Sequence, residues 1–435
     1  MDTARNRLVF SNAYRWYALT TLSSVYMLNL VDRGLVAVLL QPIKQDLHLS
    51  DTQLGFLTGI AFSLFYAILG IPIARWADRG NRVTITAMAI ALWGVTVMSC
   101  LFVGSFVQMV FARMAAAVGE SGCKPPTYSL VGDYFPEPSR RARAMSVYLS
   151  GSAVATLVSF IGGGWLNEHF GWRMTFCLMG FPGLLLAVLV KLTIAEPRTL
   201  AAKPDVGKSL RPSVSATLSV LWNRRACRHL CIALVVLFML GQGFTPWYAA
   251  FMIRSHGMST AEAGLWLGLV FSLGGFAGTL LGGYVASRWF SNNDRGQMRL
   301  CAATVAAISP CFVAFLTLPG RTTALLSLIP LIVAYTFFLG PVYALLQRLV
   351  EDEMRATLLA LVMLLANLIG AGIGPQIVGI LSDLLHAALG QDSLRYAMLL
   401  MSAVAFWAAY HIWLAGRTVR DDLLLVYGST ALPHA

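Results

Sequence analysis

The sequence predicts an all-α polytopic membrane protein, with twelve transmembrane helices in two pseudo-symmetric six-helix bundles. Three observations carry that fold class. The 435 residues are 57% hydrophobic and 12% charged, where a water-facing domain carries about 25% charged residues. Apolar stretches of about 20 residues, enough to cross a ~30 Å hydrocarbon core, recur along the chain. The second half of the chain also repeats the first.

Hydropathy places spans at 16–41, 53–75, 83–104, 106–133, 143–167, 174–195, 229–253, 261–287, 299–319, 323–348, 356–384 and 395–416. The first follows Arg5, Arg7 and Arg15. It is longer than a signal-peptide core and lacks a small-residue cleavage site, so it is expected to stay in place. The eighth, tenth and eleventh are interrupted by Gly or Pro, which membrane helices tolerate because neighbouring groups re-satisfy the backbone. Loops after even-numbered spans carry clustered arginines: Arg75, Arg79 and Arg82; Arg140, Arg141 and Arg143; Arg288, Arg295 and Arg299; Arg348 and Arg355. The opposite loops hold mostly single basic residues, Lys44, Arg173, Arg254, Arg321 and Arg395. Basic loops stay inside. Both termini are therefore expected to be cytoplasmic, which agrees with an even number of spans. The lack of any N-x-S/T sequon favours a prokaryotic source and so an inner membrane.

The longest polar stretch, "EPRTLAAKPDVGKSLRPSVSATLSVLWNRRACRH", divides the chain. It is basic and contains proline, and reads as a cytoplasmic linker with one amphipathic helix. The expected organisation is an N-terminal six-helix bundle over 1–195, a linker over 196–228, and a C-terminal bundle over 229–435.

The formal net charge of +12 sits in short clusters between apolar spans. It has no aromatic interleaving and no nucleic-acid-binding motif, so no nucleic-acid partner is expected. The seven cysteines are scattered, mostly inside spans. Cys227 and Cys231 are one helical turn apart, but nothing completes a ligand set. No metal and no cofactor are expected.

One ungapped shift carries Ser50, Gly55, Gly59, Phe62, Ser63 and Leu64 onto Ser259, Gly264, Gly268, Phe271, Ser272 and Leu273, and Arg79 onto Arg288. A slightly longer shift carries "PTYSL" (Pro126 to Leu130) onto "PVYAL" (Pro341 to Leu345). Two repeats with a site between them near mid-membrane is a transporter plan. An embedded enzyme is not expected. The segment "GESG" (Gly119 to Gly122) lacks the G-x-S-x-G spacing and histidine partner of a nucleophile elbow.

Ionisable residues inside a bilayer cost about 2.5 to 3.5 kcal/mol each on insertion scales and face a cavity or a partner. The first span holds Asp32 and Arg33, and the fourth holds Arg113, Glu120 and Lys124. The repeat sets Gly241 and Gln242 against Asp32 and Arg33, and Leu328 and Tyr335 against Arg113 and Glu120. Buried charge therefore belongs to the N-terminal half. Helix neighbours diverge by about 100°, so Asp32 and Arg33 cannot pair with each other. Arg113 and Glu120 are two turns apart and share a face. Asp32 and Arg113 lie at similar depth, which predicts a cross-helix pair with Glu120 one layer below. Arg33 reads as a packing or gating contact or a substrate contact. Lys124, one turn after Glu120, reads equally as a local neutraliser or a substrate contact. On the C-terminal side, Gln242, Phe244, Trp247, Tyr248, Tyr335, Phe338 and Asn367 are expected to form a wall of rings with a few polar groups. One charged and one aromatic wall suit an amphipathic anion better than a sugar.

The segment "ARWADRGNRV" (Ala74 to Val83) resembles the loop signature of the major facilitator superfamily, with Ala74 in place of the leading glycine. The second copy, "GGYVASRW", keeps Gly283 and Arg288 but has Ser287 for the acid. The resemblance assigns Asp78, Arg79, Arg82 and Arg288 to a cytoplasmic gate. Within that superfamily, "NLVDRGLVAVLLQPIKQDLHLSDTQLG" and "RMAAAVGESGCKPPTYSLVGDYF" are most similar to the bacterial Spinster family of lipid-related transporters. That implies functional roles for Asp32, Arg33, Arg113 and Glu120, while Lys124 and Cys123 depart from the small and hydroxyl residues expected there. Organic-acid symporters share similar "DR" and "GE" segments and are the rival reading.

The expected function is alternating-access transport of an amphipathic anionic small molecule, a lysolipid or sphingoid phosphate. Asp32 and Glu120 would exchange protons and Arg113, Arg33 and Lys124 would contact substrate. The protein is expected to be a monomer whose partners are the bilayer, protons and cargo.

Overall fold

The computed structural model describes residues 10–200, 214–290 and 293–427, and every regular element among them is helical. Part of the expected linker, 201–213, lies outside the described residues. The chain divides into two compact units. Unit 1 is Met1–Leu49, Ala61–Gly207 and Ser259–Gly268, and unit 2 is Ser50–Ile60, Lys208–Met258 and Leu269–Ala435.

The first half of the chain supplies α1 (Asn12–Leu47), α2 (Asp51–Thr58), α3 (Ile60–Arg79), α4 (Arg82–Ser99), α5 (Phe106–Ser121), α6 (Lys124–Tyr134), α7 (Pro138–Leu157), α8 (Gly163–Thr193) and the short α9 (Pro197–Leu200). Local sequence sets their starts. Ser11, Asn81 and Ser105 accept the free amides of α1, α4 and α5, and Ser50 with Gln53 forms a capping box on α2. The expected fourth span is broken between α5 and α6, where Pro125 and Pro126 withhold two backbone donors.

The second half supplies α10 (Val214–Asn223), α11 (Arg225–His256), α12 (Thr260–Trp289), α13 (Asp294–Ala306), α14 (Ile308–Thr317), α15 (Arg321–Phe337), α16 (Leu339–Arg348), α17 (Arg355–Leu365), α18 (Gly372–Leu389), α19 (Ser393–Ser402) and α20 (Val404–Tyr427). The break between α15 and α16 falls at Phe338, the position that the repeat matches to Cys123 between α5 and α6. The repeat reaches finer detail. A wider π-helical turn follows α7 at Val158–Gly162 and another follows α17 at Ala366–Ala371. Gly34 packs against Ser159 in the first π turn. Its repeat mate Gly243 packs against Gly374 just after the second, at 3.1 Å from where a Cβ would stand. A side chain on Gly34 would clash with Ser159, and one on Gly243 would crowd the Gly374 backbone.

Nine helical stretches among the described residues are long and apolar enough to cross a membrane, against the twelve spans expected from hydropathy. The difference has physical causes. Two stretches, Pro138–Thr193 and Asp352–Tyr427, run for 56 and 76 residues, far beyond the roughly 20 that one crossing needs. The first is bent inside α8 at Gly171, whose φ of 75° and ψ of 165° suit glycine alone. The expected span over 106–133 is absent from the nine because its helix is broken at Gly122 and Cys123 into α5, of 16 residues, and α6, of 11, neither long enough to cross alone.

Candidate functional site: two buried ion pairs around one ring

Asp32 and Arg33 sit mid-way along α1, and Arg113 and Glu120 lie two turns apart on α5. Arg113 Nη1 is 2.5 Å from Asp32 Oδ2, with side chains 4% and 1% exposed. This is the cross-helix pair expected from their depth. Arg33, for which the sequence left a packing role open, reaches Glu120 instead. Its Nε and Nη2 donate to Glu120 Oε1 at 3.0 and 2.7 Å, and Glu120 is wholly buried. The 100° between Asp32 and Arg33 thus points each at a different turn of α5. Lys124, at the start of α6, holds its Nζ 3.9 Å from the same Glu120 oxygen.

Phe62 of α3 stands between the pairs. Its ring centroid is 4.7 Å from the Arg33 guanidinium carbon and 4.9 Å from that of Arg113. Tyr66, one turn on, lies 5.2 Å from Arg33 and 5.7 Å from Lys124 Nζ. Each such contact is worth about 0.5–2 kcal/mol, more as water is excluded. Three cations therefore share two carboxylates and an aromatic floor, leaving a net positive site. The pairs are not saturated. Asp32 Oδ1, Arg113 Nε and both polar atoms of the buried Asn29, one turn before Asp32, have no hydrogen-bond partner among the described residues. Sequence reasoning missed Phe62, Tyr66 and Asn29. Only Asn29 carried a signal, as a polar residue three before Asp32 on the same face.

The expected C-terminal wall divides. Phe244, Trp247 and Phe338 are wholly buried and Tyr248 nearly so. Phe244 and Tyr248 pack on Phe312, with centroids at 4.5 and 6.1 Å. Their rings fill the interior of unit 2, as helical spacing of one turn allows. Gln242, Tyr335 and Asn367 are the members left partly exposed, and Asn367 Nδ2 donates to the Met363 carbonyl. A Cβ on Gly241 would run into the Tyr335 hydroxyl, so the position matched to Asp32 is given over to a ring.

The loop motif also divides. Arg79 and Arg288 are exposed, and the Asp78 side chain lies outside what is described. Arg82 is buried and acts as a hub. Its Nη2 meets Asp133 Oδ2 at 2.7 Å and Glu196 Oε1, its backbone amide reaches Glu196 Oε2 at 2.7 Å, and Nη1 donates to Ser129 Oγ. Burial alone would raise the Glu196 carboxyl, but the Arg82 hydrogen bonds outweigh it and hold the group below its ordinary value. Glu196 looked like the first residue of a linker, so its role was not foreseen. The seven cysteines are unbridged.

An internally repeated, all-helical membrane fold with unsaturated ion pairs buried in one half defines a secondary transporter rather than an enzyme. The chain belongs to the Major Facilitator Superfamily, which matches residues 22–375. An MFS-type efflux pump of Mycolicibacterium smegmatis is 34% identical, over 94% of both chains. A hexuronate transporter of Bacillus subtilis is 24% identical, over 82% of this chain and 85% of that protein. Among solved structures, a bacterial homologue of the human lysosomal transporter Spinster, inward-facing and unoccupied, matches with a TM-score of 0.85. The identity is 28%, covering 95% of this chain and 99% of that one.

Proposed function

We propose that this Spinster-like transporter moves an amphipathic anionic small molecule, of the lysolipid or sphingoid-phosphate kind, by proton-coupled alternating access. The reading takes twelve crossings, with both termini cytoplasmic, from the basic loops and the two over-long helical stretches. Two six-helix bundles, 1–195 and 229–435, are joined by the 196–228 linker. One observation carries the substrate class: the buried site holds three cations, Arg33, Arg113 and Lys124, against two carboxylates. Lys124 has only a share of Glu120, which leaves a place for an anionic head group. The rings of Phe62 and Tyr66 supply apolar surface beside it. Gln242, Tyr335 and Asn367 are the contacts proposed on the C-terminal side.

Coupling follows from the pairs. When Arg113 turns from Asp32 to an arriving anion, Asp32 loses its counter-charge and takes up a proton. Glu120 does the same as Arg33 and Lys124 engage cargo. Each ligand then alters the affinity for the other equally. Arg79, Arg82 and Arg288 remain the proposed gate, with Asp78. The test is a thermal-shift panel on purified protein with lysolipids, sphingoid phosphates and hexuronates. Stabilisation by a lipid, lost in Arg113→Ala, is expected. Stabilisation by hexuronates alone would replace this reading with organic-anion symport, which the hexuronate transporter relative favours.

A further inference from the structure

The transport reading makes no use of α10 or of the arginines that follow it. Thr217 and Leu221 are buried, and the outward half of the helix is split lengthwise. Val214, Leu218 and Trp222, four residues apart, form an apolar strip that is 55%, 44% and 68% exposed. Ser215, Ser219 and Asn223, each one residue on, form a polar strip, with Asn223 Nδ2 donating to Ser219 Oγ at 3.1 Å. A helix bathed in water would not present three large apolar side chains in a row. A helix bathed in acyl chains would not set a polar strip beside them. The split suits a helix lying flat at the interface, apolar strip inward and polar strip to water.

Positive charge gathers at its end. Arg228 Nη1 donates to the Trp222 carbonyl at 3.0 Å, and its guanidinium carbon lies 5.8 Å from the Trp222 ring. Arg225 is exposed and has no ion-pair partner among the described residues. The Ala226 amide donates to Asp422 Oδ2 at 2.6 Å, which brings the end of α20 to the same level. There Arg417 and Arg420 are exposed, Arg417 4.9 Å from the Trp413 ring. Tryptophan and arginine together at one level mark the headgroup zone, and arginine there attracts anionic lipid.

We propose that α10 and this arginine cluster bind the phosphate headgroups of anionic phospholipids, with Val214, Leu218 and Trp222 inserted among the acyl chains. The site is distinct from the transport site and stands without the substrate assignment above. The test uses the full-length protein with nitroxide-labelled Leu218→Cys or Ser219→Cys, each compared with the unsubstituted chain. Vesicles are pure phosphatidylcholine, or contain phosphatidylglycerol. Oxygen should broaden the label at 218 and a water-soluble nickel chelate the label at 219. Native mass spectrometry should show preferential retention of phosphatidylglycerol, lowered roughly fivefold by each of Arg225→Gln and Arg228→Gln and not displaced by inorganic phosphate. Equal nickel access at both positions would overturn the proposal. So would unchanged lipid preference in the double variant, displacement by free phosphate, or crosslinking of two copies through Cys at 218.

Discussion

Arg113 and Asp32 meet at 2.5 Å with both side chains buried, yet Asp32 Oδ1 and Arg113 Nε bond nothing among the described residues. A buried pair of this kind contributes little net stability while it is intact. Losing one partner strands the other charge at a cost of about 3–5 kcal/mol. Arg113→Gln is therefore expected to be markedly less stable than the wild type in denaturant unfolding. The double variant Asp32→Asn/Arg113→Gln should recover most of that loss, because neither charge is left alone. A double variant no better than Arg113→Gln would show that the two are not coupled.

The same pair and its neighbour should separate proton coupling from cargo exchange. Asp32→Asn and Glu120→Gln each remove a site where a proton can bind, while keeping shape and hydrogen-bonding capacity. In proteoliposomes, both should lose accumulation driven by a pH gradient yet keep counterflow, which needs no net proton movement. Full proton-driven accumulation in both variants would rule out the coupling scheme.

Phe62 lies against two guanidinium groups at once. Leucine there keeps much of the apolar bulk but removes the π face. At about 0.5–2 kcal/mol per contact, Phe62→Leu should weaken cargo binding several-fold and lower the melting temperature, whereas Phe62→Tyr stays near wild type. Isothermal titration on the two variants checks this, and equal binding by both would assign Phe62 to packing alone.

Glu196 predicts an acid limit. Its carboxyl is held below the ordinary 4.5 despite burial. A depressed carboxylate adds stability that is fully present above its unfolded value and lost as pH falls through its folded one. The melting temperature should therefore fall as pH drops below about 4.5, and Glu196→Gln should flatten that part of the profile. An unchanged slope would place the acid sensitivity elsewhere.

The helices were legible because apolar runs of span length have few other uses, and the repeat was legible because glycines and motif residues keep their register. Asp32, Arg113 and Glu120 stood out as charges in apolar surroundings. Phe62 did not, since a ring inside an apolar span has no contrast with its neighbours. The same blindness placed Phe244 and Trp247 on a wall when they fill an interior. Glu196 was hidden for the opposite reason, as an acid among loop residues that only the fold brings to Arg82.

Gly241 tests why the two halves differ. Its repeat mate is Asp32, and Tyr335, the mate of Glu120, occupies the space a side chain on Gly241 would need. Where one half sets an acid opposite an arginine, the other closes the gap with a ring. Gly241→Ala should overpack the site and cost about 1–3 kcal/mol. Tyr335→Ala opens room for that methyl group, so Gly241→Ala should add almost nothing to it, a strong departure from additivity. Gly241→Asp should hold its proton rather than exchange it, because Leu328 stands where an arginine would be needed to draw the proton off. Adding Leu328→Arg should improve its stability in the Tyr335→Ala background, read by unfolding in detergent. If that arginine gives no gain, the asymmetry of the halves runs deeper than these side chains.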